Sequence, residues 1–318
     1  MRVLVTGVGG FVGPVVAAEL IARGHDVHGL VRRSVSPRLA DLAVELHRGD
    51  LLEPGQIDEV IAGVSPDAIV HLAGMSFMPA AEADPHAAYR TNLDATLALL
   101  GALRARSPKA RLLFVSSSTV YGAPAPDELP VVEETPLRPE NVYGASKAAA
   151  ELAALQWRRA YGLDVVVARP FNHIGPGQDP SFVCAALARQ IARMELGRQD
   201  PVLRVGNVDP VRDFSDVRDI AAGYAALLER GSSGAVYNLC SGEGASIAEV
   251  IALLRTHARI PLSVRSDPAR RRQTEAPRIV GSAARAARET GWKPRITLSD
   301  ALATVLDDWR SRTANDPT

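Results

Sequence analysis

Short, mostly apolar runs recur at 3–5, 27–31, 68–72, 112–115 and 165–168, with stretches of helical character between them. Runs of that length suit strands buried on both faces of a parallel sheet, and the intervening helices are what would cover it. The pattern predicts an α/β fold, a doubly wound parallel sheet with a smaller, discontinuous α/β domain attached. After residue 169 the regularity loosens, with Pro, Gly and polar residues breaking up 175–181 and 200–213. A helix over 217–230 and a strand over 235–239 read as returns to the first domain. The expected division is therefore residues 1–168 with about 214–241 as one domain, and 169–213 with about 242–310 as a second that binds a ligand. An Ala/Arg-rich helix near 283–289 follows, then a polar tail after 310.

The first strand runs into Thr6-Gly7-Val8-Gly9-Gly10-Phe11-Val12-Gly13, and an apolar helical stretch follows over 14–22. A glycine turn between strand and helix lets the chain reverse at Gly7, admits an anion near Gly10, and packs the helix close to the sheet at Gly13. The helix N-terminus adds partial positive charge. The order of strand, turn, helix and second strand predicts a dinucleotide-binding (Rossmann) unit, although the spacing GxxGxxG differs from GxGxxG. At the end of the second strand, where NAD binding calls for a carboxylate, stands Val31, followed by Arg32, Arg33 and Ser34. Cations without a carboxylate suit a 2′-phosphate, so NADP(H) is favoured over NAD(H).

Charge narrows the classes of partner. In 318 residues, 36 Lys and Arg balance 36 Asp and Glu, so nothing electrostatic recommends a nucleic acid or a membrane surface. No apolar run approaches membrane-spanning length. Cys184 and Cys240 are the only cysteines, with no Cys/His cluster spaced for zinc, and no metal is expected. A chain starting on its first strand, without a disulfide framework, is expected to lack a signal peptide and to be cytoplasmic.

Tyr143 and Lys147 are spaced to lie one turn apart on one face of a helix. An ammonium beside a phenol favours the phenolate and brings it toward the working range of a general acid or base. Ser117 follows the fourth legible strand, where a hydroxyl points into the crevice at the carboxyl edge of the sheet and can bond a carbonyl oxygen.

Together, Gly7, Gly10 and Gly13, the Ser117 segment, Tyr143 with Lys147, and Arg169-Pro170-Phe171-Asn172 resemble the extended short-chain dehydrogenase/reductase family over essentially the whole chain. The resemblance implies that Tyr143 is the acid/base, supported by Lys147 and Ser117, and that the substrate is a nucleotide-activated sugar. It implies cofactor contacts from Gly7, Gly10, Phe11 and Val12 on the turn, from Arg32 and Arg33, and from Asp50 and Leu51 near the adenine. Leu72, Ala73 and Gly74 would run along the cofactor, with Asn92 structuring the neighbouring helix and Tyr143 and Lys147 completing the set.

Two further runs, 169–178 and 205–214, resemble enzymes of GDP-6-deoxyhexose metabolism. Dehydratases of that group carry a glutamate two residues before the tyrosine of a VYG-type sequence, where this chain has Thr119. The resemblance therefore implies delivery of the pro-S hydride of NADPH to the C4 ketone of a GDP-6-deoxy-4-keto-hexose. A nucleotide-sugar 4-epimerase is the alternative, and GDP-mannose 4,6-dehydratase a more distant one. Substrate contacts are expected from Ser117, Asn172, Arg212 and Arg272, the two arginines on the diphosphate. His173 is open to two readings, a substrate contact or a packed, hydrogen-bonded side chain. Ser282 stands where an aspartate is expected. Ala- and Leu-rich helices after Asn92 and around Tyr143 are expected to pair two copies into a homodimer through a four-helix bundle.

Overall fold

The computed structural model describes residues 1–32, 35–270 and 276–316. Its first half alternates strands and helices: β1 (Arg2–Thr6), α1 (Gly13–Ala22), β2 (Asp26–Val31), β3 (Val44–Arg48), α2 (Gln56–Val64), β4 (Ala68–His71), α3 (Met78–Ala83), α4 (Pro85–Tyr89), α5 (Ala95–Arg106), β5 (Arg111–Val115), α6 (Val142–Tyr161) and β6 (Asp164–Pro170). The second half is more broken: β7 (Asn172–Ile174), α7 (Val183–Glu195), β8 (Val202–Val205), β9 (Val211–Asp216), α8 (Val217–Arg230), β10 (Val236–Leu239), β11 (Gly244–Ser246), α9 (Ile247–His257), β12 (Ser263–Ser266), β13 (Arg278–Ile279), α10 (Ala284–Thr290) and α11 (Leu298–Asn315).

Seven strands form one sheet in the order β10-β6-β5-β4-β1-β2-β3, and every neighbouring pair is parallel. This is the doubly wound topology. The strand order reverses between β1 and β4, which opens a crevice beyond their carboxyl ends. Apolar side chains leave both faces: Val3, Val5, Val70 and Leu113 pack under α1 and α8, while Leu4, Ile69, Leu112 and Phe114 pack under α2, α5 and α6. At roughly 25 cal/mol per Å² of apolar surface buried, these two faces supply the main stabilisation of the sheet.

Strand β3 was not legible as an apolar run. It lies at the sheet edge, and Glu45, Leu46 and Arg48 are exposed, so nothing selects a hydrophobic stretch there.

A separate core gathers Ile174, α7, Leu203, Phe214, α9 and α11. It carries β9, which pairs with β7, β11 and β13, and beside these the parallel pair β8 and β12. One segment departs from the division expected from sequence. Ala286 of α10 and Trp292 pack into the first core, and the Trp292 indole donates to the Asp219 carbonyl at 2.9 Å. The chain thus returns to the main sheet once more after 242. Among the described residues no helix is long and apolar enough to cross a membrane.

Candidate active site

The carboxyl edge of the main sheet opens into a cleft of about 1470 Å³. A pocket for one small ligand holds roughly 300–1,000 Å³, so this cleft has room for two. The glycine turn lies at one end, and Arg204, Asn207 and Arg212 lie at the other.

The turn is built by contacts that only glycine allows. Gly7 has φ +73°, donates to the Leu30 carbonyl at 3.2 Å, and leaves so little space that a Cβ would sit 2.8 Å from the Ala73 nitrogen. A Cβ on Gly13 would lie 2.2 Å from the Val8 oxygen. Helix α1 starts at Gly13 with no side-chain cap and no acidic residue in its first turn. A helix end that opens on a cleft without a protein cap is an anion site in waiting. These features fit a dinucleotide pyrophosphate.

Phe11, Val12, Arg32, Asp50, Leu51, Leu72, Ala73 and Gly74 also line the cleft. Arg32 reaches to 3.7 Å from the Asp50 carboxylate. Arg33 lies outside the described residues. Asn92, expected both among the cofactor contacts and as the residue that structures the neighbouring helix, does not line the cleft and makes the structural bonds. It is buried, takes the Met75 N–H at 2.8 Å, and donates to the Met75 carbonyl and the Ser146 hydroxyl. Its polar atoms are therefore committed to fastening the 73–75 loop to α6, and Gly74 is needed because a Cβ there would meet the Asn92 oxygen at 2.7 Å. Beneath that loop, His71 bonds Thr6 at 2.7 Å and Thr96 at 3.1 Å. Burial holds its pKa down at about 3, so the ring is a neutral strut between β1 and α5.

Ser117, Tyr143 and Lys147 come together on the cleft wall. Asn141 caps α6 by accepting from Gly144 at 2.8 Å, which places Tyr143 in the first turn and Lys147 one turn on. The Ser117 oxygen accepts from the Thr119 N–H at 3.2 Å and from the Thr119 hydroxyl at 2.9 Å. With its acceptor side so occupied, the Ser117 hydroxyl turns its proton to the Tyr143 oxygen.

The electrostatics differ from the expectation that Lys147 draws the Tyr143 pKa down. Burial pushes the phenol up, against a smaller downward pull from Ser117. Lys147 yields instead: burial lowers it to about 8, despite the opposing charge of Glu151. Its Nζ stands 4.7 Å from the Phe114 ring centroid. Desolvation acts on both groups and disfavours both charged forms.

Arg212 lines the far end and donates to the Val211 carbonyl at 2.9 Å, and Asn172 is exposed beside it. Arg272 lies outside the described residues. His173 is packed: its ring stacks on Phe11 with centroids 6.0 Å apart, and its Nδ1 donates to the Phe171 carbonyl at 2.9 Å. Burial lowers its pKa, so it is neutral and still turns an edge to the cleft. Several lining residues carry no motif, among them Phe77 and Phe182 in edge contact at 6.0 Å. Arg204 was legible in principle, because it is the outward position of the otherwise apolar run 202–205.

A family model described as GDP-mannose 4,6 dehydratase matches residues 4–305. GDP-6-deoxy-D-mannose reductase of Pseudomonas aeruginosa is 47% identical over 311 residues, covering 98% of each chain. UDP-glucose 4-epimerase of Corynebacterium glutamicum is 31% identical, over 97% of this chain and 95% of the relative. Among solved structures, RMD from Pseudomonas aeruginosa complexed with NADPH superposes with a TM-score of 0.86 at 43% identity, covering 98% of this chain and all of the other. The UDP-glucose 4-epimerase of Thermus thermophilus with NAD gives 0.87 at 29% identity, over 98% and 99%.

The depressed Lys147 pKa carries a stability signature. Below about 8 the buried ammonium is a full penalty on the folded state, and the penalty is relieved as pH rises from there toward the ordinary 10.5. In urea unfolding, the stability advantage of Lys147→Met over wild type is expected to shrink across that interval. A constant difference from pH 7 to 10 would show that Lys147 titrates normally.

Proposed function

This chain belongs to the extended short-chain dehydrogenase/reductase family as an NAD(P)-dependent nucleotide-sugar oxidoreductase, and on that premise we propose that it reduces the C4 ketone of GDP-4-keto-6-deoxy-D-mannose with NADPH, giving GDP-D-rhamnose or its C4 epimer. The observation that carries this reading is Thr119, whose hydroxyl donates to Ser117 where a dehydratase would place a carboxylate. Elimination of water needs a base to take the C5 proton, and an alcohol is far too weak. Ketone reduction needs no such base.

NADPH, when bound, supplies the hydride to C4. The turn at Gly7, Gly10, Phe11 and Val12 and the open end of α1 hold its pyrophosphate, Asp50 and Leu51 the adenine end, and Arg32 with Arg33 the 2′-phosphate. Leu72, Ala73 and Gly74 form the wall along it. Tyr143 gives its phenolic proton to the C4 oxygen; like any phenol it is protonated at neutral pH, and burial raises its pKa further. Ser117 donates to the same oxygen, its own acceptor side being held by Thr119. Lys147 donates to the ribose and supplies positive potential beside the phenol. Arg212 and Arg272 take the sugar-nucleotide diphosphate, and Asn172 the sugar. The second core, from 169–213 and about 242–310, shapes the substrate side.

We place the enzyme in the cytoplasm, a reading supported by the free, buried thiols of Cys184 and Cys240. As its partner we propose a second copy of the chain. Leu152 and Tyr161 on α6 are 55% and 44% exposed, and Tyr89 at the end of α4 is 38% exposed, an apolar set suited to pairing α5 and α6 with their copies.

With 4-deuterated NADPH and GDP-4-keto-6-deoxy-D-mannose, the expected result is stoichiometric cofactor oxidation, deuterium at C4 and a higher kcat/KM than with NADH. Interconversion of C4 epimers without net cofactor use would move the assignment to an epimerase. Tyr143→Phe is expected to lower kcat by about 10²–10⁴ while NADPH affinity holds; wild-type turnover in this variant would remove Tyr143 from its role. Light scattering should give a dimer mass, and Leu152→Asp a monomer; a monomeric wild type refutes the pairing.

A further inference from the structure

On the β2–β3 edge of the main sheet, three side chains bring metal-ligand atoms to one point. His28 on β2 stands in register with Glu45 on β3, and His47 follows two residues later on the same face of the edge strand. His28 Nδ1 and His47 Nε2 are 2.9 Å apart. The Glu45 carboxylate approaches them at 3.7 and 3.8 Å. One ligand atom from each of the three residues lies within 4.8 Å of the others.

A fourth residue fixes the direction of the first. His28 Nε2 faces the Asp26 carboxylate at 3.4 Å, and Asp26 is also approached by Arg2 at 3.4 Å. A carboxylate on the far nitrogen sets the tautomer with the proton on Nε2, so the Nδ1 lone pair of His28 points toward His47. That second carboxylate is the usual outer support of a metal-bound imidazole. The two rings are near-parallel, 26° apart with centroids 5.2 Å apart, and they meet end to end through their facing nitrogens.

We propose that His28, Glu45 and His47 bind a borderline divalent cation, with Zn²⁺ the ion best suited to two imidazoles and one carboxylate, and Asp26 orienting His28. On a tetrahedral ion with bonds of about 2.0–2.1 Å the two nitrogens would stand roughly 3.3 Å apart, so the pair has to open by a few tenths of an ångström and both rings have to turn by a few tens of degrees to bring their lone pairs onto the ion. His47 keeps a neutral ring by carrying its proton on Nδ1, and nothing is oxidised or reduced. The side chain of His28 is 8% exposed and that of Glu45 69%, so the ion enters from the Glu45 side, where water completes its shell. None of the four residues lines the cofactor cleft. The ion would staple edge strand β3 to β2, separately from the hydride chemistry. Nineteen positions separate the two histidines, so no ligand spacing announces them in the sequence, and the expectation of no metal rested on spacing alone.

The test is a Co²⁺ titration of chelator-stripped full-length protein, read by visible absorption, with Zn²⁺ competition and thermal melts in parallel. Expected are one saturable equivalent, a low-coordinate Co²⁺ spectrum bleached by Zn²⁺, and a higher Tm with Zn²⁺ than with EDTA. His47→Gln and Glu45→Gln should each weaken binding at least tenfold, with an unchanged Tm in EDTA and unchanged NADPH binding. Absence of saturable binding by the wild type, or wild-type affinity in both variants, would overturn the proposal.

Discussion

Lys147 keeps only 6% of its surface exposed, against the Phe114 ring and one helical turn before Glu151, and much of the site is arranged around an ammonium held there. Water cannot offset its charge, so the protein must. Glu151 is not free to do so alone, because it also pairs with buried Arg169 at 3.1 Å and accepts from Ser116 at 2.6 Å. Arg169 in turn donates to the Tyr121 hydroxyl and the Glu133 carbonyl, and Tyr121 donates to Asn238. Removing one partner of such a buried pair costs about 3–5 kcal/mol, because it strands the other charge. The network therefore locks β5, α6, β6 and β10 into one rigid floor, and that floor is what fixes Tyr143 and Lys147 relative to Ser117.

The hydroxyls of Tyr143 and Ser117 bear on which chemistry the site favours. A phenol kept protonated can give a proton, and a serine whose oxygen is occupied by Thr119 can give another to the same acceptor. Both groups present hydrogen, and no carboxylate from the Ser117–Thr119 segment stands ready to remove one. A wall of donors suits an oxygen that gains negative charge.

Much of this was legible in the residues. Central strands announced themselves because burial on two faces demands mostly apolar residues, and the glycine turn because its contacts exclude any Cβ. Tyr143, Lys147 and Ser117 followed from helix spacing and strand-end geometry. Edge strand β3 and the short strands of the second core were not legible, since few of their positions are buried on both sides. Nor could spacing reveal that burial raises the Tyr143 pKa and lowers that of Lys147. Those outcomes depend on what surrounds each group in three dimensions.

Strand β10 completes the sheet beside β6, yet it is reached only after the chain has laid down much of the second core. Its Asn238 is the acceptor for Tyr121 and donates to the Val131 carbonyl at 3.1 Å. During synthesis, then, an emerging N-terminal portion can wind β1 to β6 but exposes a naked strand edge and leaves the Tyr121 proton without its acceptor until residues 236–239 leave the ribosome. Premature truncation anywhere before that point should yield a polypeptide prone to self-association rather than a smaller working enzyme.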